Sequence, residues 1–255
     1  MSARAGAIVT GANSGIGRAI VERLAAAGFG VVANVFGPRG PQAEEAALAA
    51  DLAERVAAGA VAVRWGDMTV PADAEALVAL AAERFGGVEA LVNNAGGGTV
   101  CPFLEMDLDT FRAMVDRNLT TAFVPSRAAA EAMAAAGRGR IVNVSSQLAF
   151  KGSAQLAHYA AAKAGVGGLT RSMALALAPH GIAVNAVAPG PIATDAHVRG
   201  GVTPAQLERQ AAALPLGRLG RPEEIAEAVA FLVASPGGDF STGQTLHING
   251  GDVMP

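Results

Sequence analysis

Short apolar runs rich in β-branched residues alternate with longer alanine-rich stretches along most of the chain. Several of the apolar runs are uninterrupted, as expected for strands buried on both faces of a sheet. The predicted strands are Ala7–Thr10, Gly30–Val35, Ala60–Trp65, Val88–Asn93, Arg140–Ser145, Ile182–Ala188 and Thr245–Ile248.

The alanine-rich stretches between these runs have the length and composition of helices. The predicted helices are Gly15–Ala27, Pro41–Ala58, Pro71–Phe85, Asp109–Ala136, Ala157–Ala178 and Pro222–Ala234. Because strands and helices alternate, the pattern predicts an α/β fold with a parallel sheet and right-handed crossovers. Pro125 falls inside the fourth helix and should kink or split it.

Neither a shift in composition nor an internal repeat marks a boundary, so residues 1–255 are predicted to form one domain. Gly190–Thr203, followed by a short helix, is a long irregular segment before the last predicted helix. Segments of this kind often cover a site, so residues 190–215 are predicted to be a lid.

Composition excludes several classes of protein. Half of the residues are apolar, net charge is −3, and no block of lysine or arginine occurs, so nucleic acids and anionic membranes are not expected partners. No apolar run is long enough to span a bilayer, and four scattered histidines with one cysteine form no metal set. The first strand begins by Gly6 or Ala7, which leaves no room for a signal peptide. With Cys101 as the single cysteine, a cytoplasmic location is expected.

The segment Thr10–Gly17 follows the first strand and opens the first helix. Its glycines, Gly11, Gly15 and Gly17, allow a sharp turn and a close approach to a pyrophosphate, whose charge the helix N-terminus attracts. A purely structural turn is the alternative for such a motif taken alone.

The end of the second strand, Ala33–Phe36, has no carboxylate that could bind a ribose 2′-hydroxyl. Arg39 follows a few residues later and is either a partner for a 2′-phosphate or a solvated loop charge. The sequence therefore favours NADP(H), with NAD(H) possible. Asp67, after the third strand, is either an acceptor for the adenine amino group or a strand-end cap.

Tyr159 and Lys163 are four residues apart, which places them on one face of a helix. A cation beside a phenol lowers the pKa of the phenol, so the pair suits proton transfer near neutral pH. Polar segments also end three strands: Asn93–Gly96, Ser145–Ser146 and Pro189–Thr194. The carboxyl ends of parallel strands share one edge, where ligands bind.

These motifs, in this order and over essentially the whole chain, resemble the classical short-chain dehydrogenase/reductase family. The resemblance implies a single-domain Rossmann-type, doubly wound parallel sheet of about seven strands with helices on both faces. It implies catalytic roles for four residues and cofactor contacts for a larger set. The expected catalytic residues are Asn118, Ser146, Tyr159 and Lys163, with Ser146 chosen because it precedes Tyr159 by thirteen residues. The expected cofactor contacts are Gly11, Asn13, Ser14, Gly15, Ile16, Gly17, Phe36, Arg39, Asp67, Met68, Asn94, Ala95, Gly96, Tyr159, Lys163, Pro189, Gly190, Ile192 and Thr194.

The implied activity is reversible hydride transfer between a nicotinamide and a carbonyl or secondary alcohol. Reduction of 3-oxoacyl thioesters is the commonest resemblance, with sugar, polyol and steroid-like alcohols as alternatives. Enoyl reductases fit less well because they space the tyrosine and lysine more widely. A non-catalytic nucleotide-binding regulator on the same fold is the alternative from another class, although it would be expected to lack part of the four-residue set.

The resemblance also implies a homotetramer, or at least a dimer, with Ala157–Ala178 and the C-terminal strand at interfaces. The substrate is expected to be selected by the loop Thr99–Leu104 and the segment Gly190–Leu214. Other residues are expected to be peripheral: His158 faces away from Tyr159, and surface positions are expected for Arg138, Arg140, Asp195 and His197.

Overall fold

A computed structural model describes residues 4–194 and 202–255 of the chain. The described residues form a sheet of seven parallel strands in the order β3-β2-β1-β4-β5-β6-β7. The strands are β1 Gly6–Val9, β2 Gly30–Val35, β3 Val61–Trp65, β4 Ala90–Asn93, β5 Gly139–Val144, β6 Ile182–Pro189 and β7 Thr245–Ile248. All seven strands predicted from the sequence are confirmed, with ends that differ by one or two residues.

Helices cover both faces of the sheet, which confirms the Rossmann-type fold class. They are α1 Gly15–Ala26, α2 Pro41–Asp51, α3 Ala53–Ala57, α4 Pro71–Phe85, α5 Leu108–Val115, α6 Thr121–Ala136, α7 Leu148–Lys151, α8 Ala157–Leu177, α9 Pro204–Ala213 and α10 Pro222–Ala234. One apolar core lies between the sheet and α1, α2 and α10, and a second lies beneath α4, α6 and α8. Burial of these two cores is the main force that holds the sheet together.

The strand order reverses at β1, which pairs with β2 on one side and β4 on the other. The connection after β1 leads to β2 on one side, and the connection after β4 leads to β5 on the other side. Because these connections diverge, a crevice opens at the carboxyl ends of β1 and β4. The segments that follow β1, β4, β5 and β6 meet at this crevice.

Two of the predicted helices are interrupted. The fourth is split by a wide π turn at Asp116–Thr120, between α5 and α6, whereas Pro125 lies inside the continuous helix α6. The prediction of a split was therefore correct, but its position was wrong. A π turn widens the backbone locally, and here it turns Asn118 inward to bond with a neighbouring loop. The second predicted helix is divided into α2 and α3 at the buried residue Leu52.

The predicted lid is described only in part. The residues expected at its surface, Asp195 and His197, lie outside the described residues. Its short helix is present as α9, which begins with a capping box between Thr203 and Gln206. Among residues 4–194 and 202–255, no helix is both long and apolar enough to cross a membrane.

Candidate active site

Ser146 and Tyr159 line the same cleft at the edge of the crevice. Ser146 lies two residues beyond the end of β5, and Tyr159 lies in the first turn of α8. The Ser146 hydroxyl oxygen accepts a hydrogen bond from the backbone N–H of Leu148, at the start of α7, with a donor–acceptor distance of 3.2 Å. This bond helps to fix the serine side chain at the cleft.

The protonation of Tyr159 is controlled by two opposing effects. Burial raises the pKa of the Tyr159 phenol above its ordinary value, and the Ser146 hydroxyl acts in the opposite direction with a smaller effect. The sequence-based expectation that Lys163 lowers this pKa is not met in the structure. The ammonium group lies 5.7 Å from the centre of the phenol ring and points to another acceptor.

That acceptor is the carbonyl oxygen of Val144, the last residue of β5. The Nζ atom of Lys163 donates to it across 2.8 Å, and the lysine side chain is almost fully buried. Burial lowers the pKa of Lys163 to about 8, because an ammonium group loses much of its hydration in the interior. A second and a third N–H of the ammonium group are left for other acceptors.

The adjacent residues Ser145 and Ser146 have different partners. The Ser145 hydroxyl donates to the backbone carbonyl of Lys163 across 3.0 Å, and its N–H donates to Val187 in β6. Ser145 therefore attaches α8 to the sheet, whereas the Ser146 hydroxyl bonds to the start of α7.

Asn118 lies in the π turn and is almost completely buried. Its side-chain oxygen accepts from the N–H of Gly97, and its amide nitrogen donates to the Gly97 carbonyl and the Met114 carbonyl, all within 3.1 Å. A Cβ atom at Gly96 would approach the Asn118 oxygen to 2.5 Å, so that position requires glycine. Asn118 thus joins the loop after β4 to the broken helix.

A cleft of about 220 Å³ is lined by ten of the twenty-one predicted site residues. Tyr159, Lys163 and Ser146 line it together with Ser145 and Val144. The remaining residues come from the segments after β1, β4 and β6: Ile16, Asn94, Gly96, Gly97, Pro189, Gly190, Pro191, Ile192 and Thr194. The sequence motifs singled out separately therefore converge on one cavity.

The glycine-rich turn is attached to β4 by a small polar cluster. The hydroxyl of Thr10 accepts from the N–H groups of Asn94 and Ala95, each across 3.0 Å, and the Asn94 amide donates back to the carbonyls of Thr10 and Gly11. A Cβ atom at Gly11 would meet the Ala95 Cα at 2.8 Å. Backbone groups therefore dominate the surface of the turn, and helix α1 begins just beyond it at Gly15. This arrangement fits a dinucleotide, whose pyrophosphate needs close backbone contact and a helix N-terminus.

A buried asparagine in β2, which the sequence analysis passed over, supports the same turn. The Asn34 oxygen accepts from the N–H of Gly11 across 3.3 Å, and its amide donates to the carbonyl of Gly66 across 3.0 Å. Asn34 thus joins the glycine turn to the loop after β3. A polar residue in an otherwise apolar strand was the available signal.

The loop after β2 is bound by a second residue that the sequence analysis missed, Glu44 of α2. Arg39 is not a free surface charge, because its guanidinium group forms a side-on ion pair with the buried carboxylate of Glu44 in α2. Asn13, in the glycine turn, donates to the same carboxylate and accepts from the N–H of Phe36. Phe36 is half exposed and packs against Trp65 with ring centres 5.4 Å apart.

The two residues after β3 that were predicted to contact the cofactor, Asp67 and Met68, both interact with other parts of the protein. One oxygen of Asp67 accepts from both the N–H and the hydroxyl of Thr69, as in a cap. The side chain of Met68 is buried in the core. The cap interpretation of Asp67 thus describes one oxygen, and the other remains available.

The peripheral residues lie outside the cleft lining. His158 is completely buried, and neither ring nitrogen has a hydrogen-bond partner among the described residues. Arg138 forms an ion pair with Glu89, and Arg140 forms one with Asp239.

Comparison with known proteins identifies the family. Residues 11–252 match a family model described as "Enoyl-(Acyl carrier protein) reductase". The chain belongs to the short-chain dehydrogenase/reductase family. The chain itself has three residues between Tyr159 and Lys163, the spacing of the classical branch that its motifs resemble.

Curated relatives with different substrates are similarly close. A 2,3-dihydroxy-2,3-dihydro-p-cumate dehydrogenase from Pseudomonas putida is 41% identical over 252 residues, which cover 97% of this chain and 94% of the relative. A 3-oxoacyl-(acyl-carrier-protein) reductase from Vibrio cholerae is 42% identical over 248 residues, with 97% of each chain covered. An L-rhamnose 1-dehydrogenase (NAD(P)(+)) from Azotobacter vinelandii is 42% identical over 250 residues, with coverage of 96% and 94%. This short-chain dehydrogenase/reductase is therefore an NAD(P)-dependent oxidoreductase that acts on CH–OH groups.

Proposed function

We propose that this protein transfers a proton through Tyr159 during the interconversion of a carbonyl and a secondary alcohol. The observation that carries the proposal is the cleft that Ser146, Tyr159 and Lys163 line together. A bound nicotinamide cofactor supplies or accepts the hydride. In reduction, the Tyr159 hydroxyl donates its proton to the substrate oxygen, and the Ser146 hydroxyl donates a hydrogen bond that stabilises the negative charge developing there.

Lys163 contributes through its position and its charge. With one N–H on the Val144 carbonyl, the ammonium group has donors left for the ribose hydroxyls of the cofactor. Asn118 is proposed to hold the loop after β4 and the π turn in place, and to anchor a water that relays protons to Lys163. We also propose that the described part of the segment 190–215 closes over this cleft.

The proposed cofactor is NADP(H) in preference to NAD(H). The end of β2 carries Asn34, Val35 and Phe36 rather than an acid, so no carboxylate in that strand repels a 2′-phosphate. Arg39 supplies a positive charge nearby. Calorimetry with both cofactors tests the preference, and tighter binding of NAD(H) would reject it.

The proposed substrate is a 3-oxoacyl thioester. The loop that leads from the cleft exposes apolar side chains, Val100, Phe103 and Leu104, of which Leu104 is almost fully exposed. Such a rim suits an acyl chain better than a polyhydroxylated sugar. The test follows NADPH absorbance, which should fall when acetoacetyl thioesters are supplied with NADPH and should rise when sugars or cyclic diols are supplied with NADP⁺. Faster turnover of a sugar such as L-rhamnose would favour the alternative assignment as a sugar dehydrogenase.

The proposed assembly is a homotetramer. Two separate regions of the described surface expose large apolar side chains: Phe123 and Leu175 on α6 and α8, and Phe231 and Phe240 near α10 and β7. Two different self-complementary surfaces generate a tetramer with two-fold axes. Light scattering of the wild type and of Leu175→Glu tests this, with a dimer expected for the variant. A wild-type monomer would contradict it.

A cytoplasmic location is proposed from the single cysteine.

A further inference from the structure

The carboxylate of Glu44 is buried and fully engaged in hydrogen bonds. It lies in the first turn of α2, and only 3% of the residue is exposed. Its Oε1 atom accepts from the backbone N–H and the Nε of Arg39, and its Oε2 atom accepts from the Nη2 of Arg39 and the amide of Asn13. Each carboxylate oxygen has two lone pairs, so this set satisfies both oxygens. These contacts hold the pKa of Glu44 below its ordinary value, with the Arg39 hydrogen bond as the largest cause.

This saturation excludes one role for Glu44. In a site specific for NAD(H), an acid beside the adenosine ribose accepts hydrogen bonds from the ribose hydroxyls. Glu44 could accept a hydrogen bond from the ribose only by losing one of its present donors. Those donors compensate its buried charge, so losing one would cost free energy. The acid therefore serves Arg39 rather than a ribose hydroxyl.

Arg39 has the opposite balance of contacts. Its side chain is 59% exposed, and the ion pair uses only Nε and one hydrogen of Nη2. Both hydrogens of Nη1 and the second of Nη2 remain, on the edge of the guanidinium group that faces away from Glu44. A planar group held along one edge presents its other edge in a defined direction, the geometry that suits a phosphate.

The pair is built into the part of the fold where a dinucleotide places its adenosine ribose. Asn13 joins Glu44 to the N–H of Phe36, and so connects the glycine turn, the end of β2 and α2. At Gly37, a Cβ atom would overlap the Glu44 carboxylate, so a glycine is needed there for the acid to fit. The ion pair thus occupies a space that the surrounding backbone leaves for it.

We propose that Glu44 is a positioning residue that directs the outer edge of Arg39 towards a 2′-phosphate and so sets the preference for NADP(H). The inference rests on the proposed function, because it assumes that this crevice binds a nicotinamide dinucleotide. The proposal gives Glu44 a role in cofactor binding. Without Glu44, Arg39 would keep its charge, but the orientation of its guanidinium group would no longer be fixed.

The test uses adenosine fragments, so that its readout is independent of turnover. Calorimetry would compare adenosine 2′,5′-bisphosphate with 5′-AMP for the wild type, Arg39→Ala, Arg39→Lys and Glu44→Gln. We expect the wild type to favour the bisphosphate, and Arg39→Ala to lose about ten- to a hundredfold in affinity for it. Glu44→Gln should lose about five- to tenfold for the bisphosphate, with 5′-AMP binding unchanged.

The lysine variant protects the test against misfolding of Glu44→Gln. Lysine keeps the positive charge at this exposed position but cannot form a bidentate ion pair with a carboxylate. Arg39→Lys should therefore weaken bisphosphate binding about as much as Glu44→Gln. Arg55→Ala, at an exposed arginine of α3, is the control for a simple change in net charge and should have no effect.

Several outcomes would overturn the inference. If Glu44→Gln binds the bisphosphate as tightly as the wild type or more tightly, Glu44 does not direct Arg39 and instead opposes the phosphate. If Arg39→Lys binds the bisphosphate as tightly as the wild type does, the orientation of the guanidinium group does not contribute to binding. Failure of the proposed function is distinguishable, because neither NADPH nor NADH would then bind the wild-type protein.

Discussion

The ammonium group of Lys163 donates a hydrogen bond to the carbonyl oxygen of Val144 across 2.8 Å. The lysine is thereby held in the interior with its charge against the end of β5, where it lines the cleft with its ammonium group 5.7 Å from the centre of the Tyr159 ring. Burial lowers the pKa of Lys163 to about 8. The protein therefore holds a buried charge that weakens its stability, and this charge sits where the proposed chemistry needs a cation.

Replacing Lys163 with methionine should stabilise the protein and abolish turnover. Removing the buried charge should raise the free energy of unfolding at pH 7 by about 3 kcal/mol, and losing the bond to Val144 should lower it by about 1 kcal/mol. The net gain, about 2 kcal/mol, is measurable by urea denaturation.

The same variant has a defined dependence on pH. The folded-state pKa of Lys163 is about 8, below its ordinary value of 10.5, so the unfolded chain binds the proton more strongly. The penalty for the buried charge is complete below about pH 8 and fades as the pH rises towards 10.5. The stability difference between Lys163→Met and the wild type should therefore shrink between pH 7 and 9.5. A difference that stays constant over this range would show that folding does not shift the pKa of Lys163.

Replacing Tyr159 with phenylalanine should remove the proton donor while preserving the fold. We expect kcat/KM to fall by about 10²–10⁴-fold, with cofactor affinity changed only a few-fold. Single-turnover kinetics and calorimetry on the same preparation would measure both. Turnover close to that of the wild type would remove Tyr159 from the proposed mechanism.

The two adjacent serines provide a matched pair of variants. Ser146→Ala should lower kcat/KM by about 10²–10³-fold, because the developing negative charge loses a donor. Ser145→Ala should leave kcat/KM within about tenfold of the wild type and lower the free energy of unfolding by about 1 kcal/mol, because its bond to the Lys163 carbonyl is lost. Steady-state kinetics and thermal unfolding of both variants would check this, and the reverse assignment of the two serines would contradict the geometry.

A buried polar chain below the site offers a prediction about stability alone. The amide of Asn93 donates to Ser126 and to Asn143, and the Asn143 amide donates to the hydroxyl of Thr170 across 2.9 Å, which joins α6, β4, β5 and α8. Thr170→Val should leave the Asn143 amide without an acceptor and lower the free energy of unfolding by about 1–3 kcal/mol.

Thr120→Val, at a more exposed threonine whose hydroxyl bonds to Asp116, is the control for Thr170→Val, and it should change the free energy of unfolding by no more than about 0.5 kcal/mol. Equal effects in chemical denaturation would show that the buried chain adds nothing to stability.

Much of the fold is local information that the sequence carries directly. The alternation of apolar runs and alanine-rich stretches predicts every strand of the described sheet, since burial on both faces leaves a continuous apolar pattern. The spacing of Tyr159 and Lys163 predicts that both lie on one helix. The glycines of Thr10–Gly17 predict a tight turn at the first helix.

Tertiary structure alone decided the contacts between residues distant in the chain. The partner of the Ser145 hydroxyl depends on how β5 and α8 approach each other, and the partner of Lys163 depends on the depth at which its helix packs against the sheet. The break of the fourth helix at Asn118 rather than at Pro125 reflects its bonds to Gly97, on the far side of a loop. The sequence left open whether Arg39 is a phosphate partner or a solvated loop charge, because periodicity cannot reveal that a buried acid from the next helix binds it. Local propensity is read from neighbours along the chain, whereas charge pairing and hydrogen bonding in the interior depend on distances that exist only after the two cores have packed.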